Sequence, residues 1–187
     1  MRMGLTASAT PIDGLLRVDC DSYRDERGAF TRLFCASELA PLLGERRIVQ
    51  INQSLTRQVG AVRGLHFQHF PHAEMKLVRC TRGKVWDVVV DLRRDSTTFL
   101  RWHAEVLSAE NQRLLVIPEG CAHGFQVLEE DSEMLYLHTE FYYPNAEGGV
   151  CHDDPTLAIT WPLPARDLSK RDRQHAPITL AFNGLAP

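Results

Sequence analysis

The sequence predicts an all-β chain folded as an antiparallel jelly roll, and three observations carry that expectation. From about Val49 to Thr139, short segments alternate apolar and polar residues, with turn residues breaking them every eight to twelve positions. Helical periodicity is scarce. A proline-stopped strand, Arg113 to Ile117 before Pro118, leads into Gly120-Cys121-Ala122-His123-Gly124. Many short strands around one cavity, joined by such a turn, point to a double-stranded β-helix of the cupin type with a few short helices.

Taken in order, Ala36 to Gly44 is the one helical stretch, about two turns closed by glycine. Arg63 to Gln68 alternates as a strand, placing His66 and Gln68 on one face, and Lys76 shares a face with Val78 in the next. Arg82-Gly83 offers a hairpin turn from the Lys76 strand into Lys84–Leu92. There Trp86, Val88, Val90 and Leu92 line one face, and Asp87 and Asp91 sit among the valines of the other. Arg101 to Leu107 sets Trp102, Ala104 and Val106 against Arg101, His103 and Glu105. Met134 to Thr139 sets Met134, Tyr136 and His138 against Leu135, Leu137 and Thr139. From Trp161 onward the chain reads as irregular and proline-braced, and Met1 to Ile12 as a loosely held tail.

Composition narrows the function. The 187 residues show no Pro/Gly/Ser-rich linker and no internal repeat, so one domain over 1–187 is expected. With 21 basic against 24 acidic residues the net charge is −3, and no block of like charge suggests a nucleic-acid groove or a polybasic membrane patch. An anionic ligand must then be met by a few placed arginines. The five cysteines, Cys20, Cys35, Cys80, Cys121 and Cys151, are widely spaced without a CxxC pair. With no apolar leader and no run of membrane-span length, this reads as a reduced, cytoplasmic protein.

Among chemistry-bearing residues, His66 and Lys76 come first. A base that titrates near neutrality and a cation that can meet a developing oxyanion suit proton transfer beside a carbonyl. His123 is flanked by glycines that let a ligand or another backbone approach closely. In metal-binding cupins such a histidine joins a His-x-His pair and an acid, but here the place of the acid carries Lys76, which opposes a metal centre. No GxGxxG or P-loop is present, so a phosphate-bearing ligand would rely on guanidinium groups, with Arg27 and Arg63 best placed. Tyr136 reads as inward-facing, with Tyr142 and Tyr143 just beyond it, and Asp172 by itself reads as a solvated charge in a charged tail.

The ordered series DERGAF, QINQS, VRGLHFQ, KLVRC, GKVWDVVVDLR, TTFLRW, LSAENQRLLVIPEGCAHGF, YYPNAEGG, DDP, ITWP and LSKRD resembles the dTDP-4-dehydrorhamnose 3,5-epimerase family from about Asp25 to Asp172. The resemblance implies a cupin-like homodimer that needs no metal or other cofactor and inverts C-3, C-5 or both in a dTDP-4-keto-6-deoxyhexose, since relatives exist that invert only C-3. It implies His66 as the base, Asp172 as its orienting partner, Tyr136 as the acid on the opposite face and Lys76 as the partner of the C-4 keto oxygen. It also implies that His123 lines the pocket, that Arg27, Gln50, Asn52, Arg63, Tyr142 and Glu147 hold the nucleotide diphosphate, and that Phe30 lies near the nucleotide. The chain departs from common family residues at Arg32, Leu137, His152 and Cys121, none of which belongs to the implied proton-transfer set. Two alternatives stand beside this reading: a non-catalytic sugar-nucleotide-binding cupin and a metal-dependent cupin enzyme.

Overall fold

The computed structural model describes residues 4–186. In chain order its strands are β1 (Leu5–Ala9), β2 (Leu16–Cys20), β3 (Ser22–Asp25), β4 (Gly28–Thr31), β5 (Gln50–Thr56), β6 (Val62–Gln68), β7 (Lys76–Arg82), β8 (Lys84–Asp91), β9 (Trp102–Ser108), β10 (Leu114–Ile117), β11 (Cys121–Val127), β12 (Ser132–His138) and β13 (Glu147–Gly149). One helix, α1 (Ala36–Leu43), precedes β5, and 3-10 turns occupy Pro144–Ala146 and Asp172–Gln174. Gly44 closes α1 at φ 60, donating its N–H to Ala40, as the glycine-stopped pattern predicts.

Two antiparallel sheets form the body. One has six strands in the order β1-β2-β10-β7-β12-β5, the other five in the order β13-β6-β11-β8-β9, and β3 pairs only with β4. The two-residue period of each strand decides what lies where. Val78, Cys80, Leu115, Ile117 and Met134 from the first sheet meet Val85, Val89, Cys121, Phe125 and Val127 from the second in one buried cluster between them.

The outer faces are covered too. Leu77, Leu114, Val116 and Leu137 on the far side of the six-stranded sheet pack against Leu39 and Leu43 of α1. On the far side of the other sheet, Leu65, Phe67, Val88, Val90 and Ala122 are covered by Leu157, Ile159, Leu185 and the rings of Trp102 and Trp161. Removing each such large apolar side chain from water contributes about 1.5–3 kcal/mol, and β8 buries both of its faces, with Asp87 and Asp91 set among the valines and paired to His123 and Arg93.

Two expectations are corrected. The N-terminal residues do not form a loose tail: β1 pairs along its length with β2, and Ile12 is 1% exposed in the inter-sheet core. Met1 to Met3 lie outside the described residues. The alternation of Leu5, Ala7 and Ala9 with Thr6 and Ser8 was too short to outweigh terminal position. The second correction concerns Arg82-Gly83, which is not a hairpin, because β7 and β8 belong to different sheets. Gly83, at φ 73 and with no room for a Cβ against Ser132, carries the chain from one sheet to the other. A turn residue reports that the chain reverses, not which edge the next strand joins.

Among the described residues, no helix is long and apolar enough to cross a membrane.

Candidate active site

A cavity of about 300 Å³ opens between the sheets, lined by side chains from both. β6 and β11 of the five-stranded sheet bring His66 opposite His123. Their backbones approach so closely that a Cβ at Gly64 would lie 2.5 Å from Gly124 Cα, and one at Gly124 would lie 2.7 Å from the Arg63 carbonyl. Gly64 also sits at φ 124, so glycine is required there on both counts. The freedom beside His123 therefore serves a neighbouring backbone.

His66 Nε2 lies 2.8 Å from Asp172 Oδ1, and the Gly64 N–H reaches Asp172 Oδ2 at 3.4 Å. Asp172 is 2% exposed and far from a solvated tail charge. Burial pushes its carboxyl up, but the hydrogen bond and charge of His66, with the Ser169 hydroxyl and the Gly64 N–H, outweigh that and hold it at about 2. A carboxylate there favours the tautomer with its proton on Nε2, which leaves Nδ1 able to accept a proton.

From the six-stranded sheet come Lys76 on β7 and Tyr136 and His138 on β12, with Lys76 directly paired to His138. Lys76 Nζ lies 3.1 Å from Glu74 Oε1 and donates to the His66 carbonyl at 3.4 Å. Glu74 Oε2 is 2.6 Å from His138 Nδ1. Burial raises the Glu74 carboxyl, yet the His138 hydrogen bond and the Lys76 charge bring it below its usual value. The Tyr136 hydroxyl meets Ser54 Oγ at 3.1 Å, and its ring stands edge-on to His123, centroids 6.2 Å apart. Burial moves the Tyr136 phenol well above its ordinary value, so it stays protonated. His123 is held from behind by Asp87 Oδ2 at 2.8 Å.

Asn52, Arg63, Tyr142 and Glu147 line the same cavity. The Tyr142 hydroxyl donates to Glu147 Oε2 at 3.0 Å. Gln50 does not line the cavity; its Oε1 accepts the Tyr142 N–H at 3.2 Å and supports that segment from behind. Arg27 and Phe30 are also elsewhere. They sit on the β3–β4 hairpin in a separate surface depression with Tyr23 and Asp25. The Arg27 side chain is 88% exposed and paired with Asp25 at 2.6 Å, and Phe30 is 65% exposed.

Sequence reasoning missed several groups at this site. Arg171 Nη1 reaches both Glu147 oxygens at 2.7 Å, and its Nη2 lies 3.1 Å from His66 Nε2. The contact of Glu74 with His138 went unnoticed because it joins residues 64 apart. His175 lies behind His66, its ring centroid 5.6 Å away. Among the described residues, His66, Asp172 and His175 gather three ligand-type atoms within 4.8 Å, as do Cys151, His152 and Asp153. In the first group the Arg171 guanidinium, 3.6 Å from Asp172 Oδ1, opposes a further cation. In the second the Cys151 thiol donates to Asp153 at 2.6 Å.

The arrangement offers a base from one sheet and a phenol from the other across one cavity, with a buried ammonium beside them. That is the equipment for moving protons at carbons next to a ketone. The comparisons agree with this chemistry. Residues 9–179 match the model of the dTDP-4-dehydrorhamnose 3,5-epimerase family. The enzyme of that name from Methanothermobacter thermautotrophicus is 41% identical over 172 residues, covering 90% of this chain and 92% of that protein. Its counterpart from Pseudomonas aeruginosa is 46% identical over 154 residues, covering 81% and 84%. The crystal structure of the Legionella pneumophila 3,5-epimerase with dTDP-4-keto-L-rhamnose superposes with a TM-score of 0.89 at 40% identity, covering 95% of this chain and 94% of that one. Sheet order, cavity chemistry and matched length thus converge, and this chain belongs to the dTDP-4-dehydrorhamnose 3,5-epimerase family.

Proposed function

We propose that the protein inverts C-3 and C-5 of a dTDP-4-keto-6-deoxyhexose, using His66 as base and Tyr136 as acid, in the biosynthesis of an L-rhamnose-type deoxysugar. The observation that carries this reading is the placement of His66 and Tyr136 on different sheets facing one cavity. Inversion requires a proton to leave one face of the carbon and another to arrive at the opposite face. His66 Nδ1 takes the proton next to the C-4 ketone, and the C–H electron pair moves into an enolate whose oxygen meets the Lys76 ammonium. The Tyr136 phenol then returns a proton from the other side. Asp172 supports the imidazolium while it carries the proton. No cofactor enters the scheme.

Arg63, Asn52 and Tyr142 suit the nucleotide diphosphate, and Arg171 adds a guanidinium whose charge Glu147 partly balances. Arg27 and Phe30 stand away from the cavity of their own chain, on the β3–β4 hairpin. A homodimer in which each hairpin reaches the partner subunit's cleft gives both residues their implied role. The exposed apolar edge of β5, with Ile51 and Leu55 turned to solvent, suits contact with a second copy. We place this single-domain enzyme in the cytoplasm, in keeping with five unpaired cysteines.

Incubation with dTDP-4-keto-6-deoxyglucose in deuterated water tests the reading. Deuterium at C-3 and C-5 is expected; label at C-3 alone would make the enzyme a single-centre epimerase, and no label at either carbon would overturn the proposal.

A further inference from the structure

A further imidazole stands behind the proposed base. His175 follows the Asp172–Gln174 turn, and its ring meets that of His66 edge-on, at 70° with centroids 5.6 Å apart. Its Nε2 lies 3.8 Å from Asp172 Oδ1, the oxygen that His66 already holds. That nitrogen is buried and has no hydrogen-bond partner.

By strand register, the space filled by this ring belongs to another residue. β13 pairs with β6 so that Gly149 lies opposite His66, where a side chain would stand against the imidazole. Gly149 has none. A Cβ built there would meet His175 Cε1, Nε2 and Nδ1 at 2.2, 2.3 and 2.6 Å. On the β13 side the neighbour of the base is therefore supplied by the C-terminal segment, and the missing side chain at Gly149 admits it.

We propose that His175 is a positioning residue for His66: its neutral ring fixes the imidazole at the angle Asp172 requires, and its protonation draws Asp172 away. The inference rests on His66 being the base. At 3.8 Å the neutral ring makes no hydrogen bond to the carboxylate, which stays with His66. Once protonated, His175 gains a charge-assisted claim on the same oxygen. The charged and titratable groups facing the ring are His66 on β6, Asp172 and Arg171 at the turn, and Glu147 on β13. Burial is the main cause that keeps His175 below the ordinary histidine value. The His66 and Arg171 charges act with it, and Asp172 and Glu147 act against it.

Three variants separate the ring from its charge. His175→Ala removes the aromatic edge, His175→Phe keeps an edge that cannot titrate, and Gly149→Ala expels the ring without altering it. His175→Ala and Gly149→Ala should lower kcat roughly 10- to 100-fold with KM little changed, the cost of a slightly misplaced reacting group. His175→Phe should keep most of its turnover at about pH 8, while the acid limb of its pH profile falls with a slope near one where the wild type approaches two. Imidazole 15N NMR of the wild-type protein, which needs neither turnover nor a folded variant, should show His66 and His175 titrating as a coupled pair. Wild-type kcat in both alanine variants, or independent one-proton titrations of the two rings, would overturn the proposal. Absence of epimerase activity would remove the His66 assignment and leave the NMR coupling to be judged by itself.

Discussion

The Asp172 carboxylate and the His66 imidazole, 106 residues apart in sequence, meet at 2.8 Å with the acid almost wholly buried. The barrel strand supplies the base, and a turn beyond the last strand supplies its orientation.

Asp172→Asn should accordingly lose activity by about 100- to 10,000-fold with the fold retained, measured as deuterium uptake into substrate. The same variant tests acid stability. Because the folded carboxyl sits at about 2, below its ordinary 3.8, it stabilises the native state above about pH 4, and that contribution disappears as pH falls toward 2. Thermal melts over that range should fall more steeply for the wild type than for Asp172→Asn. Parallel melts would remove the carboxylate from the stability argument.

Lys76→Ala should reduce turnover roughly 100- to 1,000-fold, the usual effect of deleting one oxyanion donor, with little change in KM. An effect confined to KM would make Lys76 a binding residue and leave the enolate without its cation.

Tyr136→Phe separates proton removal from inversion. His66 and Lys76 remain, so deuterium should still enter C-3, returned by His66 with retained configuration, while inverted product falls sharply. Equal loss of exchange and inversion would assign Tyr136 to packing against Met134 and Val78.

Arg27 is tested by mixing subunits. Arg27→Ala and His66→Ala are each expected to be nearly inactive, but co-folded together they should recover activity, since a mixed dimer holds one site with both residues intact. No recovery would place Arg27 at its own subunit's site or at none.

Much of this architecture was legible because strand alternation is a local signal. Trp86, Val88 and Val90 face one way and Val85 and Val89 the other, as their spacing demands. The hairpin read at Gly83 failed because partner choice is decided by the whole sheet. His66, Lys76 and Tyr136 each stood in a readable strand, but Asp172 looked solvated by every local criterion, and only the family resemblance singled it out. Glu74, Arg171 and the role of His138 escaped notice since their significance lies in long-range contacts. The Gly148-Gly149 pair was a visible hint: two adjacent strand glycines imply that something large occupies their place.

The strand order carries a further meaning for the segment that follows it. Every strand of both sheets precedes Asp172, and the segment beyond β13 supplies Leu157, Ile159, Trp161 and Leu185 to the outer face of the five-stranded sheet as well as the carboxylate that meets His66. A chain cut after β13 would lose that apolar cover and the His66 partner together, so the closing of the barrel's outer face and the arming of its cavity depend on one stretch of chain.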